Sequence, residues 1–70
     1  MSLHIYGAGG VGRETATCAR LSRVAVAAFV DDAVTGTVMG IDVIAADRLP
    51  RGAQVVIAVA DPAARTRIAT

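Results

Sequence analysis

The feature that most constrains this chain is a glycine run near its start, Gly7-Ala8-Gly9-Gly10-Val11-Gly12. It lies between a β-prone segment at residues 3–6 and a helical segment at residues 11–22. So many glycines disfavour the interior of a strand or helix, because glycine loses the most backbone freedom on ordering. They suit a strand-to-helix junction, where a missing Cβ permits a tight turn and close packing. The helix must then return across the sheet to a second strand, parallel to the first.

That second strand is legible at residues 24–30. Val24-Ala25-Val26-Ala27-Ala28-Phe29-Val30 is apolar without alternation and stops at Asp31-Asp32, the pattern of a strand covered on both faces. In the helix, Val11, Thr15, Cys18 and Ser22 share one face, with Ala16 and Ala19 beside it. This face is expected to pack on the sheet, with Cys18 as a small core residue. Glu14 in the first turn and Arg20 and Arg23 near the end suit the helix dipole.

Beyond residue 31, Gly36 and Gly40 bracket Thr37-Val38-Met39, and Ile41-Asp42-Val43-Ile44 follows, which reads as a small hairpin turning at Gly40. Residues 45–49 fit one helical turn closed by Pro50 and Gly52, and residues 54–60 fit another buried strand. Asp61-Pro62 then supplies an N-cap acceptor and a first-turn proline. The final helix, with Ala64 and Ile68 on one face, stops at Thr70 and reads as truncated.

The expected fold is α/β: one domain over residues 1–70 with a small Rossmann-like parallel sheet. Strands 24–30 and 54–60 flank strand 3–6. The hairpin lies toward the outer edge, and the helix and the 45–49 turn lie on opposite faces. The chain has 70 residues, 54% of them apolar but only 3% aromatic. Its core must therefore come from Val, Ile, Leu and Ala, and a chain this small buries only about 60% of its unfolded surface.

A formal charge of +1 with scattered arginines gives no stripe for nucleic acid. No apolar run approaches the ~20 residues that span a membrane. The single cysteine, Cys18, excludes an intrachain disulfide and a cysteine-cluster zinc site, and a reducing, cytoplasmic setting is expected.

Gly7, Gly9 and Gly12 satisfy G-x-G-x-x-G between a strand and a helix. Gly7 serves the tight turn, Gly9 the approach of a phosphate, and Gly12 the packing of helix on sheet. Free N–H groups and the dipole at the helix start favour an anion. Asp31 follows Gly12 by nineteen residues, close to the ~20 expected of a ribose-binding acid. The reading requires the amides of residues 7–12 to be open to a ligand.

Other residues have two readings each. Arg13 could pair with a phosphate or sit as a solvated first-turn arginine. Asp31 and Asp32 could hold ribose hydroxyls or a base edge, or simply end a strand. Asp61 could cap the last helix or line the crevice. The glycines themselves could serve packing alone. His4, inside the first strand, reads as structural. The sequence contains no Ser-His-Asp set, no metal-ligand spacing and no paired acid and base, so no catalytic residue is assigned.

Taken together, Ile5-Tyr6-Gly7-Ala8-Gly9-Gly10-Val11-Gly12-Arg13-Glu14 and Ala28-Phe29-Val30-Asp31-Asp32 carry a resemblance, which Gly40-Ile41-Asp42-Val43-Ile44 and Val56-Ile57-Ala58-Val59-Ala60-Asp61 extend. The pattern resembles the N-terminal domain of the NeuD/PglD-like sugar acyltransferases, over nearly the whole chain from Leu3. The resemblance implies a Rossmann-like domain that binds a nucleotide-sugar, typically UDP-linked. Gly7, Ala8, Gly9, Gly10 and Gly12 would cradle its phosphates, with Asp31 and Asp32 near the uridine. It also implies a following β-helix of hexapeptide repeats that binds acetyl-CoA, supplies the catalytic histidine and forms trimers.

Two departures stand out. Val11 occupies a position where the family often has histidine, and these 70 residues contain no hexapeptide repeats. The expectation is therefore the N-terminal part of a longer acetyltransferase, without intrinsic cofactor. Two alternatives remain at this stage. One is an NAD-binding domain of an oxidoreductase or redox-sensing regulator, since diphosphate and ribose are common to both ligands. The other is a non-catalytic interaction module that self-associates into a homo-oligomer through an exposed sheet edge.

Overall fold

The computed structural model describes residues 2–59. The expected final helix and the last residue of the 54–60 strand lie outside them. In chain order the elements are β1 (Ser2–Tyr6), α1 (Gly10–Leu21), β2 (Ala25–Val30), β3 (Thr37–Val38), β4 (Ile41–Ile44), a 3-10 turn (Ala46–Arg48) and β5 (Gln54–Ile57). They form one five-stranded sheet in the order β3-β4-β2-β1-β5.

The arrangement is α/β and Rossmann-like, with β1 lying between β2 and β5 and parallel to both. β4 runs parallel to β2, and only β3 is antiparallel, at the outer edge. The expected flanking of β1 and the edge position of the hairpin are both observed. Because β4, β2, β1 and β5 point the same way, their carboxyl ends share one rim of the sheet. Main-chain bonds continue along that rim past the strands. Gly7 N–H donates to the Val30 carbonyl at 2.8 Å, Ala58 N–H to Tyr6 at 2.8 Å and Asp31 N–H to Ile44 at 2.9 Å.

The core is a cluster of Ile5, Ala8, Ala16, Phe29 and Ala58. Ile5 and Phe29 are register partners across β1 and β2, and both are fully buried. Burial of each stabilises the fold by about 1.5–3 kcal/mol. β2 is less covered than its apolar run suggests. Only Ala28, Phe29 and Val30 are buried, while Ala25 and Ala27 are exposed beside a register shift between Leu3 and His4 of β1. Exposed alanines forfeit little apolar burial, so the entry of the strand can remain open.

α1 packs through a different face from the expected one. Its buried residues are Gly12, Ala16 and Ala19, whereas Val11 is 42% exposed and Cys18 lies on the surface. The reason is proximity. A Cβ on Gly12 would overlap the Gly7 carbonyl oxygen and sit 3.6 Å from Cε1 of Phe29. At that separation only the smallest side chains fit, and they recur here at helical spacing; the bulkier Val11 and Cys18 turn outward.

The helix begins at Gly10, so no acidic residue falls in its first turn and Glu14 lies beyond it. Arg20 occupies the last turn, but Arg23 lies past the end at φ 60°. There Arg23 N–H bonds to the Arg20 carbonyl and Val24 N–H to Ala19, a Schellman closure.

The hairpin pairs Val38 with Ile41 across a two-residue turn in which Met39 and Gly40 both have positive φ, 56° and 74°. That backbone matches the twist of the flanking strands. Arg20 Nη2 donates to the Met39 carbonyl at 2.9 Å, tying the hairpin to the end of α1.

Candidate functional site

The glycine run joins the end of β1 to the start of α1, and its members meet different surroundings. Gly7 has φ +111°, and a Cβ there would lie 2.6 Å from the Ala58 carbonyl oxygen. Gly12 is pressed against Gly7 as described. Gly9, by contrast, has an ordinary φ of −83° as the N-cap of α1. A Cβ on Gly9 or Gly10 would meet nothing within 4 Å. Both residues are exposed, while Gly7, Ala8 and Gly12 are buried.

The amides divide in the same way. Gly7 N–H is taken by Val30, and Ala8 N–H donates to Asp31 Oδ2 at 3.0 Å. Those two are not open to a ligand. The N–H groups of Gly9, Gly10, Val11 and Gly12 find no acceptor among the described residues, as the start of a helix leaves them, and the first three belong to residues that line the cleft described below. α1 has no side-chain cap at this end.

Asp31 directly follows β2 and faces the glycine turn. Its second oxygen, Oδ1, accepts Ala33 N–H at 2.8 Å. The Ala8 N–H bond, opposed by partial burial and aided by the amides of Ala33 and Val34, holds its carboxyl below the usual 3.8. Asp31 therefore carries its negative charge firmly at neutral pH. Asp32 turns elsewhere, its Oδ1 accepting Ala46 N–H at 2.9 Å, which caps the 3-10 turn leading toward β5.

These elements enclose a cleft of about 300 Å³ lined by Gly7, Gly9, Gly10, Val11, Asp31, Ala58 and Val59. It lies at the carboxyl ends of adjacent parallel strands, where ligands bind in open α/β sheets. Among the residues singled out from the sequence, Gly7, Gly9, Gly10, Val11 and Asp31 converge on it. Ala8 and Gly12 are buried and Arg13 and Asp32 exposed, and none of the four lines it. Asp61 lies outside the described residues.

Ala58 and Val59 form an apolar wall that the sequence reading placed inside a strand. β5 stops at Ile57, and its adjacency to β1 brings the next two residues over the glycine turn. The rule that ligands gather at strand ends could have nominated them once β5 was placed beside β1.

His4 is buried on β1 and does not line the cleft; its Nδ1 meets no partner among the described residues. Among those residues no group of three or more His, Cys, Asp or Glu could hold a metal ion. No helix there is long and apolar enough to cross a membrane.

The site thus offers three free amides, the positive end of a helix, one fixed carboxylate and an apolar wall. Comparison with known proteins finds no match among curated proteins or solved structures. A family profile described as the PglD N-terminal domain, however, matches residues 2–70. The chain belongs to that family, the N-terminal domain of PglD/NeuD-like acetyltransferases.

Proposed function

We propose that the cleft binds the diphosphate of a nucleotide-linked sugar, typically a UDP-sugar, and that the domain presents this substrate for acetylation. The observation that carries the reading is the pairing of Gly9 and Gly10 with empty space. Neither has a positive φ or a neighbour that a Cβ would strike, so packing gives no reason for glycine at either position. Close approach of a ligand to the backbone does.

The three free amides and the helix dipole suit phosphate oxygens. Val11, Ala58 and Val59 offer apolar surface to the neighbouring part of the ligand. Arg13, exposed one residue past Gly12, stands in reach of solvent at the same helix end and is left to long-range attraction. Acetyl transfer from acetyl-CoA belongs, in this reading, to a β-helical portion of the acetyltransferase, and a cytoplasmic setting fits such a substrate.

Calorimetry on the protein with UDP, a UDP-linked amino sugar and NAD in parallel tests the assignment. Binding of both uridine ligands, with the sugar-bearing one at least as tight, is the expected result. Heat from NAD alone would move the domain to the dinucleotide class. A defined oligomer that binds none of the three at millimolar concentration would make it an interaction module.

A further inference from the structure

We propose that Asp31 is a positioning residue, whose carboxylate holds the glycine turn in the shape that exposes the amides of Gly9, Gly10 and Val11. The inference rests on reading the cleft as a diphosphate site. Each carboxylate oxygen already accepts one main-chain N–H, Oδ2 from Ala8 at 3.0 Å and Oδ1 from Ala33 at 2.8 Å.

Ala8 is only 5% exposed, so water cannot readily replace the carboxylate on its N–H. It is also the hinge of the turn, the residue between the packed Gly7 and the open Gly9. Fixing the Ala8 peptide plane fixes where the next amide begins. The clasp reaches from the end of β2, a different strand from the one that leads into the turn, so it ties the turn to the sheet rim at a second point. Gly7 N–H to Val30 is the adjoining tie, and together they leave the free amides no slack.

Electrostatics make the role testable. Asp31 lines the same cleft, and a negative charge beside a bound anion opposes it. Removing the charge should by itself strengthen binding of a simple anion. If Asp31 positions the turn, removal weakens that binding instead.

The experiment uses the full chain with Asp31→Asn and Asp31→Ala, and two probes, inorganic pyrophosphate and UDP. Binding is followed by calorimetry and by the amide resonances of Gly9, Gly10 and Val11. The expected result is a fall in affinity of about tenfold or more for both probes, in similar proportion, with Asn losing less than Ala because it keeps one acceptor. Pyrophosphate binding that is unchanged or stronger, whatever UDP does, would overturn the proposal. An unchanged response to both probes would do the same.

Hydrogen exchange at the Ala8 amide supplies a readout that needs no ligand. It should accelerate in Asp31→Ala, and less in Asp31→Asn, whose amide oxygen is a weaker acceptor, while the amides of β1 keep their protection; unaltered Ala8 exchange in these variants would refute the clasp. Should the unsubstituted protein bind neither probe, the diphosphate reading fails, and Ala8 exchange still decides whether Asp31 holds the turn. If Asp31→Ala does not fold, the milder Asn variant carries both measurements.

Discussion

Gly7 and Gly12 differ from Gly9 and Gly10 in burial and in the space around them. The first pair is buried, and each would drive a Cβ into backbone, Gly7 into the Ala58 carbonyl and Gly12 into the Gly7 carbonyl. The second pair is exposed, with open space where a side chain would go. One glycine-rich turn therefore serves two masters. Its packed half brings α1 against β1 and Phe29, and its open half leaves amides facing a cleft. A spacing motif merges these two demands, and substitutions can separate them.

The largest expected effect is at Gly12. Gly12→Ala forces a Cβ into main chain that cannot move without shifting α1. Its cost should reach about 3 kcal/mol or more, the upper end of overpacking penalties. Against a total of about 5 kcal/mol for a domain this small, that leaves about 2 kcal/mol or less, so the urea midpoint should fall by more than half. A variant with an unchanged midpoint would mean that the helix does not sit as close as the structure places it.

Gly7→Ala should follow, at about 2–3 kcal/mol, from a residue held at positive φ and crowded by one carbonyl oxygen. Thermal melting would show it as a large drop with the transition still visible. If Gly7→Ala proved the more damaging of the two, the contact with β5 would outrank the contact with α1.

Gly9→Val reverses the pattern. Stability should fall by no more than about 1 kcal/mol, the cost of a poorer N-cap residue, whereas UDP affinity should fall beyond detection because a branched side chain covers the free amides. Retained binding in a folded Gly9→Val protein would remove the open half of the turn from the site.

A smaller effect is expected in acid. The folded pKa of Asp31 lies below its ordinary 3.8. The stability it contributes is therefore present above that value and lost as the pH falls through the depressed one. Asp31→Asn should be less stable than the parent at neutral pH, with the difference narrowing below about pH 4. Parallel acid titrations followed by circular dichroism would show the curves converging; a constant gap would assign the loss to something other than the ionised clasp.

The smallest effect should come from Gly10→Ala, which lies in α1 with room for a methyl group. It should raise stability by about 0.4–1 kcal/mol through the entropy of the unfolded chain, while weakening UDP binding modestly. Opposite signs at Gly10 and Gly12, two residues apart in one helix, would be the sharpest demonstration of the division.

The order of elements, the place of the first strand between β2 and β5 and the junction character of the glycine run were legible in the sequence. They follow from local properties: backbone entropy, β-branched runs and the short reach of a hairpin. The packed face of α1 was not. Val11, Thr15 and Cys18 have the spacing of a buried stripe, yet hydrophobicity at helical spacing does not report how near the sheet lies. At the separation Gly12 permits, size outranks hydrophobicity, and Ala16 and Ala19 are buried in their place.

The sequence by itself determined that a strand, a glycine turn and a helix would stand in this order, and that an acid would end the next strand, because those facts depend on neighbours along the chain. Only the tertiary structure decided which amides are open, which glycines are forced, and that the Asp31 carboxylate reaches back to accept the Ala8 N–H. Each depends on distances between residues far apart in sequence, set when β2 and β5 close on either side of β1.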